Sequence, residues 1–370
     1  MYAFSGDPIT FGHIDIIRRA ANVFDHIIVG IGVNPQKKYL FTLEERTEMA
    51  KRSLQQIKNV TVSSFCGLLV DYAYENNVSV IVKGVRNPDD FNFENVLHQV
   101  GESQRLGIDT HILFARPELA HVSSGAVKEI QKNQGSIADY VPLFVKQKLE
   151  RKMCNQFVVG ITGEMGSGKT YVSNVLQQLG TEVKVHNIEM DHIGHKILGE
   201  LKEPVYIQLR KQIAEVFGEG LIDDRGFIDR KTLGEMVFSD INQLKTLNKM
   251  LYTPISVRLR REMLGKEGII LVNAALLAEA DMLHICNNNV ILIEVDKQTQ
   301  TQRLKQRELT DEQIETRVSC QYNTIEKKTM VADIINRDNY GHMWVLNNSN
   351  DCRKDEVEKL FGQLRKHFNI

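Results

Sequence analysis

Tryptophan, proline and cysteine are scarce in this sequence, and neither sign of charge predominates. Its 370 residues include one Trp, seven Pro and five Cys, and the formal net charge is −1. The cysteines are scattered without a Cys-x-x-Cys pair, which favours free thiols over a disulfide framework or a zinc site. No run approaches the roughly 20 apolar residues of a membrane-spanning helix. The near-neutral charge offers no basic surface for nucleic acid.

The rest of the composition indicates a globular protein with two domains. Hydrophobic residues make up 42% and charged residues 25% of a chain that exceeds one ordinary domain. A helical pattern started by Pro142 closes the first domain, and Cys154-Asn155-Gln156 leaves almost no linker. We therefore predict domains at residues 1–153 and 154–370. No signal-peptide pattern follows Met1, so we expect a cytoplasmic protein without a membrane span.

Short apolar runs alternate with helical patterns in the first 150 residues. The predicted strands are residues 27–33, 60–65, 78–83 and 110–114. The predicted helices are residues 14–24, 42–54, 68–75 and 93–105. This alternation predicts an α/β domain with a doubly wound parallel sheet, which binds ligands at the carboxyl ends of its strands.

The turns that follow the predicted strands are rich in glycine, hydroxyl groups and cations. They are Ser5–His13, Asn34–Lys38, Lys83–Arg86 and His121–Glu129. Phosphates favour helix N-termini, hydroxyls and cations that meet at one crevice. The first domain is therefore predicted to bind a phosphate-bearing ligand.

The ordered motifs of this domain resemble bacterial phosphopantetheine adenylyltransferases, members of the nucleotidyltransferase superfamily. Thr10-Phe-Gly-His13 carries the (T/H)xGH pattern of the superfamily. The other matching segments are residues 7–18, 41–46, 67–73, 82–86, 90–94 and 123–129. The resemblance implies a Rossmann-like fold. It also implies AMP transfer from ATP to 4′-phosphopantetheine, which gives dephospho-CoA and pyrophosphate without a covalent intermediate.

The resemblance implies roles for individual residues as well. His13 is expected to stabilise the transition state at the α-phosphate, while Ser5 orients and Lys37 holds the attacking phosphate. The residues expected to bind the acceptor substrate are Ser5, Lys37, Leu69 and Lys83. Those expected to bind ATP are Gly6, His13, Gly84, Arg86, Glu94, Ser123 and Ser124.

The chain departs from this family at several positions. Phe4-Ser5-Gly6 stands where the family has Gly-Thr-Phe, and Lys83 stands where it has an Arg that can form a bidentate fork. The remaining departures are Phe93, Leu119 and Gly125. A retained fold without activity is therefore an alternative to an active site.

The second domain opens on a P-loop. An apolar run from Phe157 leads into Gly163-Glu-Met-Gly-Ser-Gly168-Lys169-Thr170, and a helical pattern follows. Glycines let backbone N–H groups surround phosphate oxygens at a helix N-terminus. Lys169 is predicted to reach the β/γ-phosphates of ATP, and the Thr170 hydroxyl to hold Mg²⁺. A Gly-rich turn between a strand and a helix is the alternative.

Two carboxylates and two arginines accompany the later strands. These strands are predicted at residues 182–188, 268–273, 289–295 and 343–346. Glu189 and Asp191 follow the first of them, which suits accepting a hydroxyl proton and organising Mg²⁺. Arg303 and Arg307 are predicted on one helix face, where they would close over phosphates. A solvated turn and a solvated helix are the alternatives for these pairs.

These features resemble dephospho-CoA kinases, which phosphorylate the ribose 3′-hydroxyl of dephospho-CoA. The matching segments are residues 161–170, 191–195, 276–279, 302–307, 310–321, 326–328 and 332–333. The resemblance implies a P-loop kinase fold and catalytic roles for Lys169, Glu189, Asp191 and Arg303, with Glu189 in the place of the family's usual Asp. The residues expected to bind ATP are Gly163, Gly166, Ser167, Gly168, Lys169, Thr170, Tyr171, Arg307 and Arg317.

One further family feature, an Asn at a strand end, is ambiguous in this sequence. Both Asn336 and Asn347 follow apolar residues. We place the feature at Asn347, which makes residues 336–342 an insertion.

The two resemblances support each other, because the product of the first reaction is the substrate of the second. They imply ATP as co-substrate, Mg²⁺ as cofactor and small-molecule ligands: 4′-phosphopantetheine, dephospho-CoA and CoA. Because the adenylyltransferase family tends to form hexamers, a homo-oligomer is one expectation. The alternative is that the fused kinase blocks that assembly. The enzymatic alternative is a nicotinamide-nucleotide adenylyltransferase fused to a riboside kinase, which usually has His where Thr10 stands. The non-catalytic alternative is that one half, more readily the first, is a CoA-binding sensor or an oligomerisation module.

Overall fold

The chain divides into two units, Met1–Lys152 and Met153–Ile370, each with its own sheet. This computed structural model describes residues 1–237, 240–307, 310–319, 321–349 and 354–370, without the side chains of Ile241 and Arg317. The Arg317 side chain, Cys320 and Cys352 therefore lie outside the described part of the chain. Within that part, no helix combines the length and apolarity needed to cross a bilayer.

The first unit is a parallel sheet flanked by helices. Its strands are β1 (Tyr2–Phe4), β2 (Ile27–Gly32), β3 (Val60–Phe65), β4 (Val80–Val85) and β5 (Asp109–Phe114). Its helices are α1 (Phe11–Ala21), α2 (Leu43–Leu54), α3 (Leu69–Glu75), α4 (Pro88–Glu102), α5 (Ser124–Lys132) and α6 (Leu143–Cys154). The strand order β3-β2-β1-β4-β5 puts the topological switch point, where such sheets bind ligands, between β1 and β4.

Capping explains why two helices of this unit begin earlier than predicted. Helix α1 begins at Phe11, and both the N–H and the hydroxyl of Thr10 contact the His13 ring, so His13 stands in the first turn. Helix α4 begins at Pro88 because the Asn87 side chain caps its first turn. Strand β4 lies two residues later than expected, in register with β5 over all six residues.

The second unit is also built on a parallel sheet, with β6 at its centre. Its strands are β6 (Gln156–Gly163), β7 (Val185–Glu189), β8 (Gly268–Asn273), β9 (Asn289–Glu294) and β10 (His342–Asn347). Its helices are α7 (Lys169–Leu179), α8 (Met190–Gly199), α9 (Pro204–Phe217), α10 (Arg230–Val237), α11 (Ile241–Met263), α12 (Lys297–Lys305), α13 (Asp311–Ser319), α14 (Thr324–Asp338) and α15 (Lys354–Phe368). The strand order is β10-β9-β6-β8-β7, and every neighbouring pair is parallel.

The prediction that Arg303 and Arg307 share a helix face is wrong. Helix α12 ends at Lys305, because the Arg307 N–H donates to the Leu304 carbonyl three residues earlier and does not continue the i→i−4 pattern. Arg307 lies beyond that end, whereas Arg303 lies within the helix. The two arginines therefore occupy different positions relative to the P-loop.

Asn336 is excluded as the strand end, because it lies in a helix. Helix α14 starts with a capping box at Asn323 and continues to Asp338, so Asn336 is helical. The left-handed backbone of Asn339, with φ of 47°, then ends the helix. Strand β10 follows and ends at Asn347, where the strand end was placed.

The carboxyl ends of the central strands carry the residues singled out from the sequence. Ser5 follows β1, and Arg86 follows β4. In the second unit Gly163 ends β6 and Glu189 ends β7. Since neighbouring strands are parallel, each set meets at one edge of its sheet.

Candidate active sites

A cavity of about 1010 Å³ lies at the carboxyl edge of the first sheet. The residues singled out from the sequence for this unit line it together. They are Ser5, Gly6, His13, Lys37, Leu69, Lys83, Gly84, Arg86, Glu94, Ser123 and Ser124. A single chamber thus joins loops from positions 5 to 124 of the chain.

The imidazole of His13 is held as a neutral hydrogen-bond donor. Its Nδ1 accepts the backbone N–H of Thr10 at 3.0 Å and lies 2.8 Å from the Thr10 hydroxyl. Because a backbone N–H can only donate, Nδ1 carries the lone pair and Nε2 carries the proton. The Phe4 ring stacks on the imidazole with centroids 4.4 Å apart. Burial, aided by Arg86, lowers the pKa of His13 to about 3.

Two buried charges, which sequence reasoning did not single out, anchor the loops beneath this cavity. Arg46 donates to the carbonyls of Ser5 and Gly32, and its guanidinium lies 4.0 Å from the Tyr39 ring centroid. Asp7 accepts the N–H groups of residues 40 and 41 at 3.1 and 3.0 Å, and the Lys128 ammonium at 2.8 Å. The only sequence signal was their place inside matching motifs.

The cations of this cavity differ in their partners. Lys37 Nζ lies 3.5 Å from Ser5 Oγ, so the two residues expected to hold the acceptor phosphate meet. Lys83 forms a 2.7 Å ion pair with Glu94.

Arg86 is paired with a residue that the sequence did not single out. Its Nε and Nη2 bind the two oxygens of Asp90 at 2.7 and 3.0 Å. These hydrogen bonds lower the pKa of Asp90 and raise that of Arg86. A bidentate pair of this kind holds the guanidinium in one orientation.

The Ser123–Ser124 turn presents the start of α5 to the cavity. The Ser123 hydroxyl accepts the Ala126 N–H at 3.1 Å and caps the helix. The Ser124 hydroxyl donates to the carbonyl of Pro8 at 2.8 Å. Both hydroxyls thus position the turn, and the helix N-terminus supplies the partial positive charge that attracts anions.

A second cavity, of about 490 Å³, lies at the carboxyl edge of the other sheet. Seven residues singled out from the sequence line it: Gly166, Gly168, Lys169, Thr170, Glu189, Asp191 and Arg307. Four others lie outside its lining: Gly163, Ser167, Tyr171 and Arg303. Further lining residues that sequence reasoning missed include His195, Arg230, Asn273 and Gln321.

The P-loop has the backbone that its glycines permit. Gly163, Gly166 and Gly168 have φ values of 153°, 80° and 89°. A Cβ at Gly168 would lie 2.1 Å from the side-chain nitrogen of Asn348, so this position requires glycine. The Lys169 ammonium donates to the carbonyls of Gly163 and Glu164 at 3.0 Å each. Burial lowers its pKa to about 8, although the charge of Asp191 opposes this shift.

Asn348 and Arg303, which do not line the cavity, bind the P-loop at the Ser167 carbonyl. Asn348 is buried and donates from Nδ2 to the Ser167 carbonyl at 2.6 Å. Arg303 donates to the same carbonyl at 3.4 Å and to the Asn348 carbonyl at 2.9 Å. Asn347, the residue chosen from the sequence, is exposed. The side chain that reaches the P-loop comes one residue later.

The two carboxylates of the second cavity differ in their surroundings. Glu189 accepts a hydrogen bond from Asn187 Nδ2 at 3.2 Å. Asp191 lies in the first turn of α8, open to the cavity. Desolvation by the surrounding protein raises its pKa, against the attraction of Lys169 and His195. An elevated pKa favours proton acceptance from a substrate hydroxyl.

Both sites are arranged for chemistry on nucleotide phosphates, one in a nucleotidyltransferase fold and the other in a P-loop kinase fold. The dephospho-CoA kinase family model matches residues 157–342, and the cytidylyltransferase-like model matches residues 5–130. The chain therefore belongs to the phosphopantetheine adenylyltransferase family in its N-terminal part and to the dephospho-CoA kinase family in its C-terminal part.

Curated relatives support the first of these assignments. The phosphopantetheine adenylyltransferase of Caldanaerobacter subterraneus subsp. tengcongensis is 41% identical over 152 residues, which cover 41% of this chain and 95% of that protein. The phosphopantetheine adenylyltransferase of Thermobifida fusca is 43% identical over 148 residues, covering 40% of this chain and 90% of that protein. The resemblance drawn from the motifs is thus confirmed.

We expect the His13 imidazole to remain neutral well below the usual pH range of histidine. The folded pKa of about 3 lies below the ordinary value of 6.5. The unfolded chain therefore takes up this proton first, and acidification from about pH 6.5 towards pH 3 disfavours the folded state. Nitrogen NMR of the imidazole should show the Nε2–H tautomer unchanged between pH 8 and pH 5.

The unfolded protein in urea serves as control, because there the same imidazole should titrate near pH 6.5. The His13→Gln variant assigns the signal. A titration of His13 near pH 6.5 in the folded protein would contradict the prediction.

Nucleotide binding to the second cavity should take up a proton near pH 8. Bound phosphates favour the charged form of Lys169, whose pKa is lowered to about 8 when the site is empty. Calorimetry of ADP binding in buffers of different ionisation enthalpy should show uptake of roughly half a proton at pH 8. In the Lys169→Arg variant this uptake should vanish, because a guanidinium stays charged. Undiminished uptake in that variant would assign the proton to another group.

Proposed function

We propose that this chain catalyses the last two steps of coenzyme A synthesis. The first unit transfers AMP from ATP to 4′-phosphopantetheine, and the second phosphorylates the ribose 3′-hydroxyl of the resulting dephospho-CoA. We keep the functional boundary at residues 1–153 and 154–370. One observation supports the proposal for the first unit, whose motifs depart from those of its family at several positions. All the residues that its family resemblance singles out line a single cavity, despite the substitutions among them.

In the first unit, a phosphate oxygen of the acceptor attacks the α-phosphorus of ATP. A new P–O bond forms as the bond to the β-phosphate breaks, and pyrophosphate leaves. Lys37 and Ser5 hold the attacking phosphate, and Lys83 and Leu69 line its pocket. His13 donates from Nε2 to the α-phosphate oxygen on which charge builds up. Its neutral state suits this role, because the donor is present at every physiological pH.

The ATP of the first unit is held by other residues of the same cavity. We assign its binding to Gly6, His13, Gly84, Arg86, Glu94 and the Ser123–Ser124 turn. The N-terminus of α5 at that turn favours the departing pyrophosphate. Arg86 stays oriented by Asp90 while it contacts a phosphate.

In the second unit, the 3′-hydroxyl oxygen attacks the γ-phosphorus of ATP and ADP leaves. We assign the proton acceptor to Asp191 in preference to Glu189. Asp191 is open to the cavity and has the raised pKa, whereas Glu189 is engaged by Asn187. Lys169 leaves the loop carbonyls for the β/γ-phosphates, which are stronger acceptors.

The arginines of the second unit have different roles in binding phosphate and in supporting the P-loop. Arg307 lines the cavity and supports the phosphates directly. Arg303 supports the P-loop from below, so we assign it a positioning role instead of contact with ATP. Arg317 keeps its expected role at the phosphates, and Gly163, Ser167 and Tyr171 complete the loop that surrounds them.

We further propose that Mg²⁺ binds in the second cavity. The hydroxyl of Thr170 and the carboxylate of Glu189 provide oxygen donors that this ion prefers. The described residues contain no group of three or more His, Cys, Asp or Glu side chains able to hold a metal by themselves. In kinase sites Mg²⁺ is held by one or two carboxylates together with substrate phosphates, whose charge it would neutralise during transfer.

A cytoplasmic location completes the proposal. ATP and the phosphorylated substrates are metabolites of that compartment, and the described cysteines form no disulfide.

We also propose that the first unit self-associates through α4. This helix has no buried residue in the single chain, yet it carries an apolar stripe at helical spacing. Phe93, Val96, Leu97 and Val100 are 61%, 57%, 42% and 52% exposed. A second copy would cover this stripe, and the same copy would close the cavity wall beside Phe93 and Leu97.

Replacing Val96 and Val100 together by Lys should dissociate the oligomer, because each lysine would have to be buried without a partner. Sedimentation velocity of the full chain at micromolar concentration measures the change. Val23→Lys is the matched control, since Val23 is 73% exposed elsewhere in this unit. A wild-type monomer, or an assembly unaffected by the double substitution, would refute self-association through α4.

Pyrophosphate release tests the proposed function directly. The Lys169→Ala variant, mixed with ATP and 4′-phosphopantetheine, should release pyrophosphate at the wild-type rate. Adding His13→Ala should lower that rate by about 10²–10³-fold, since one transition-state donor is lost. Conversely, His13→Ala should still phosphorylate dephospho-CoA, Asp191→Asn should abolish this step, and Glu189→Gln should reduce it less.

The alternatives give different outcomes in the same assay. Binding of CoA without pyrophosphate release would make the first unit a sensor. Release with nicotinamide mononucleotide but not with 4′-phosphopantetheine would favour the nicotinamide pathway.

A further inference from the structure

A carboxylate stands inside the phosphate-binding loop, directly after its first glycine. A negative charge there opposes anion binding unless it is directed away from the ligand. The Glu164 carboxylate does not line the cavity. One of its oxygens accepts both the N–H and the hydroxyl of Thr324 at 2.6 Å each, and the other accepts Gln300 Nε2 at 2.9 Å.

The partners of Glu164 come from two helices far along the chain. Gln300 belongs to α12 and is buried, with 5% of its surface exposed. Thr324 is the first residue of α14, where N–H groups lack an acceptor inside the helix and the dipole favours a carboxylate. The Glu164 carboxylate therefore binds residues that lie 136 and 160 positions further along the chain.

The neighbouring loop residue repeats the connection. The Met165 carbonyl accepts Gln300 Nε2 at 2.9 Å, and the Met165 N–H donates to Gln321 Oε1 at 3.2 Å. Residues 164–165 are thus joined to α12 on one side and to residues 321–324 on the other. Between these two attachments lies the part of the chain that contains Arg307 and Arg317.

We propose that Glu164 is a positioning residue for phosphoryl transfer, which fixes Arg307 relative to the P-loop. Arg307 and Lys169 both line the cavity, and the Lys169 ammonium donates to the Glu164 carbonyl. Glu164 therefore contacts the loop lysine through its backbone, and through its side chain it binds α12, which ends just before Arg307. The inference rests on the kinase reaction proposed above. It assigns Glu164 no contact with ATP.

A double-mutant cycle with Arg307 tests this role. Glu164→Ala should lower kcat/KM for dephospho-CoA phosphorylation by about 10–100-fold, because misplacement of a charge stabiliser by about 1 Å has effects of that size. Arg307→Ala should cost a similar factor in the wild-type background. In the Glu164→Ala background it should cost less than about threefold, because Arg307 is already misplaced.

Three controls separate positioning from a loss of folding. AMP transfer by the same proteins should be unchanged, since Glu164 is remote from that machinery in the chain. Thr324→Val removes one of the two Thr324 donors and should lower phosphorylation about threefold, which corresponds to one net hydrogen bond. Thr329→Val, the same change at an exposed site of α14, should have no effect.

Full multiplicativity of the Glu164 and Arg307 effects would overturn the proposal, as would unchanged phosphorylation in Glu164→Ala. Absence of phosphorylation in the wild-type protein would instead overturn the proposed kinase function, so the two failures are distinguishable.

Discussion

Buried donors that hold backbone carbonyl oxygens shape both cavities. A turn that offers its N–H groups to a phosphate directs carbonyls into the protein, where each needs a partner. Arg46 supplies that partner to Ser5 beneath the first cavity. Asn348 and Arg303 supply it to Ser167 beneath the P-loop. Without these donors the turns would lose either their conformation or their hydrogen bonds, and the geometry for binding phosphate would go with them.

Burial lowers the pKa of His13 in the first site and of Lys169 in the second, but the two shifts have different consequences. It keeps His13 uncharged, so that a ring held by Thr10 serves as a fixed hydrogen-bond donor. It also lowers the pKa of Lys169 to about 8, and bound phosphates would favour the charged form of this lysine. The first site therefore relies on a donor that never changes state, whereas the second couples the state of its lysine to occupancy.

Local sequence patterns were sufficient to predict the strands of both sheets and the turns that line each cavity. The P-loop follows from glycine spacing between a strand and a helix, and the turns of the first unit follow strands that apolar runs reveal. Contacts between distant segments were not predictable in this way. Arg46 reaches a carbonyl 41 residues away, and Asn348 reaches one 181 residues away. No periodicity in the sequence reports such distances, so Arg46 and Asn348 were missed.

Errors near helix ends have a related cause. Whether Arg307 continues α12 depends on one backbone hydrogen bond, in which the Arg307 N–H donates to the Leu304 carbonyl and leaves the helical pattern. Helix bounds are determined by such single interactions more than by composition.

The hydrogen bonds of Arg46 fix the β1 turn through its main chain. Arg46 donates to main-chain carbonyls, which every amino acid possesses, and Asp7 accepts hydrogen bonds from main-chain N–H groups. The path of this turn is thus decoupled from most of its own side chains. Phe4 can then cover the His13 ring, while Gly6 takes the left-handed backbone at φ of 63°. The shape of this loop therefore depends mainly on its two anchors, Arg46 and Asp7.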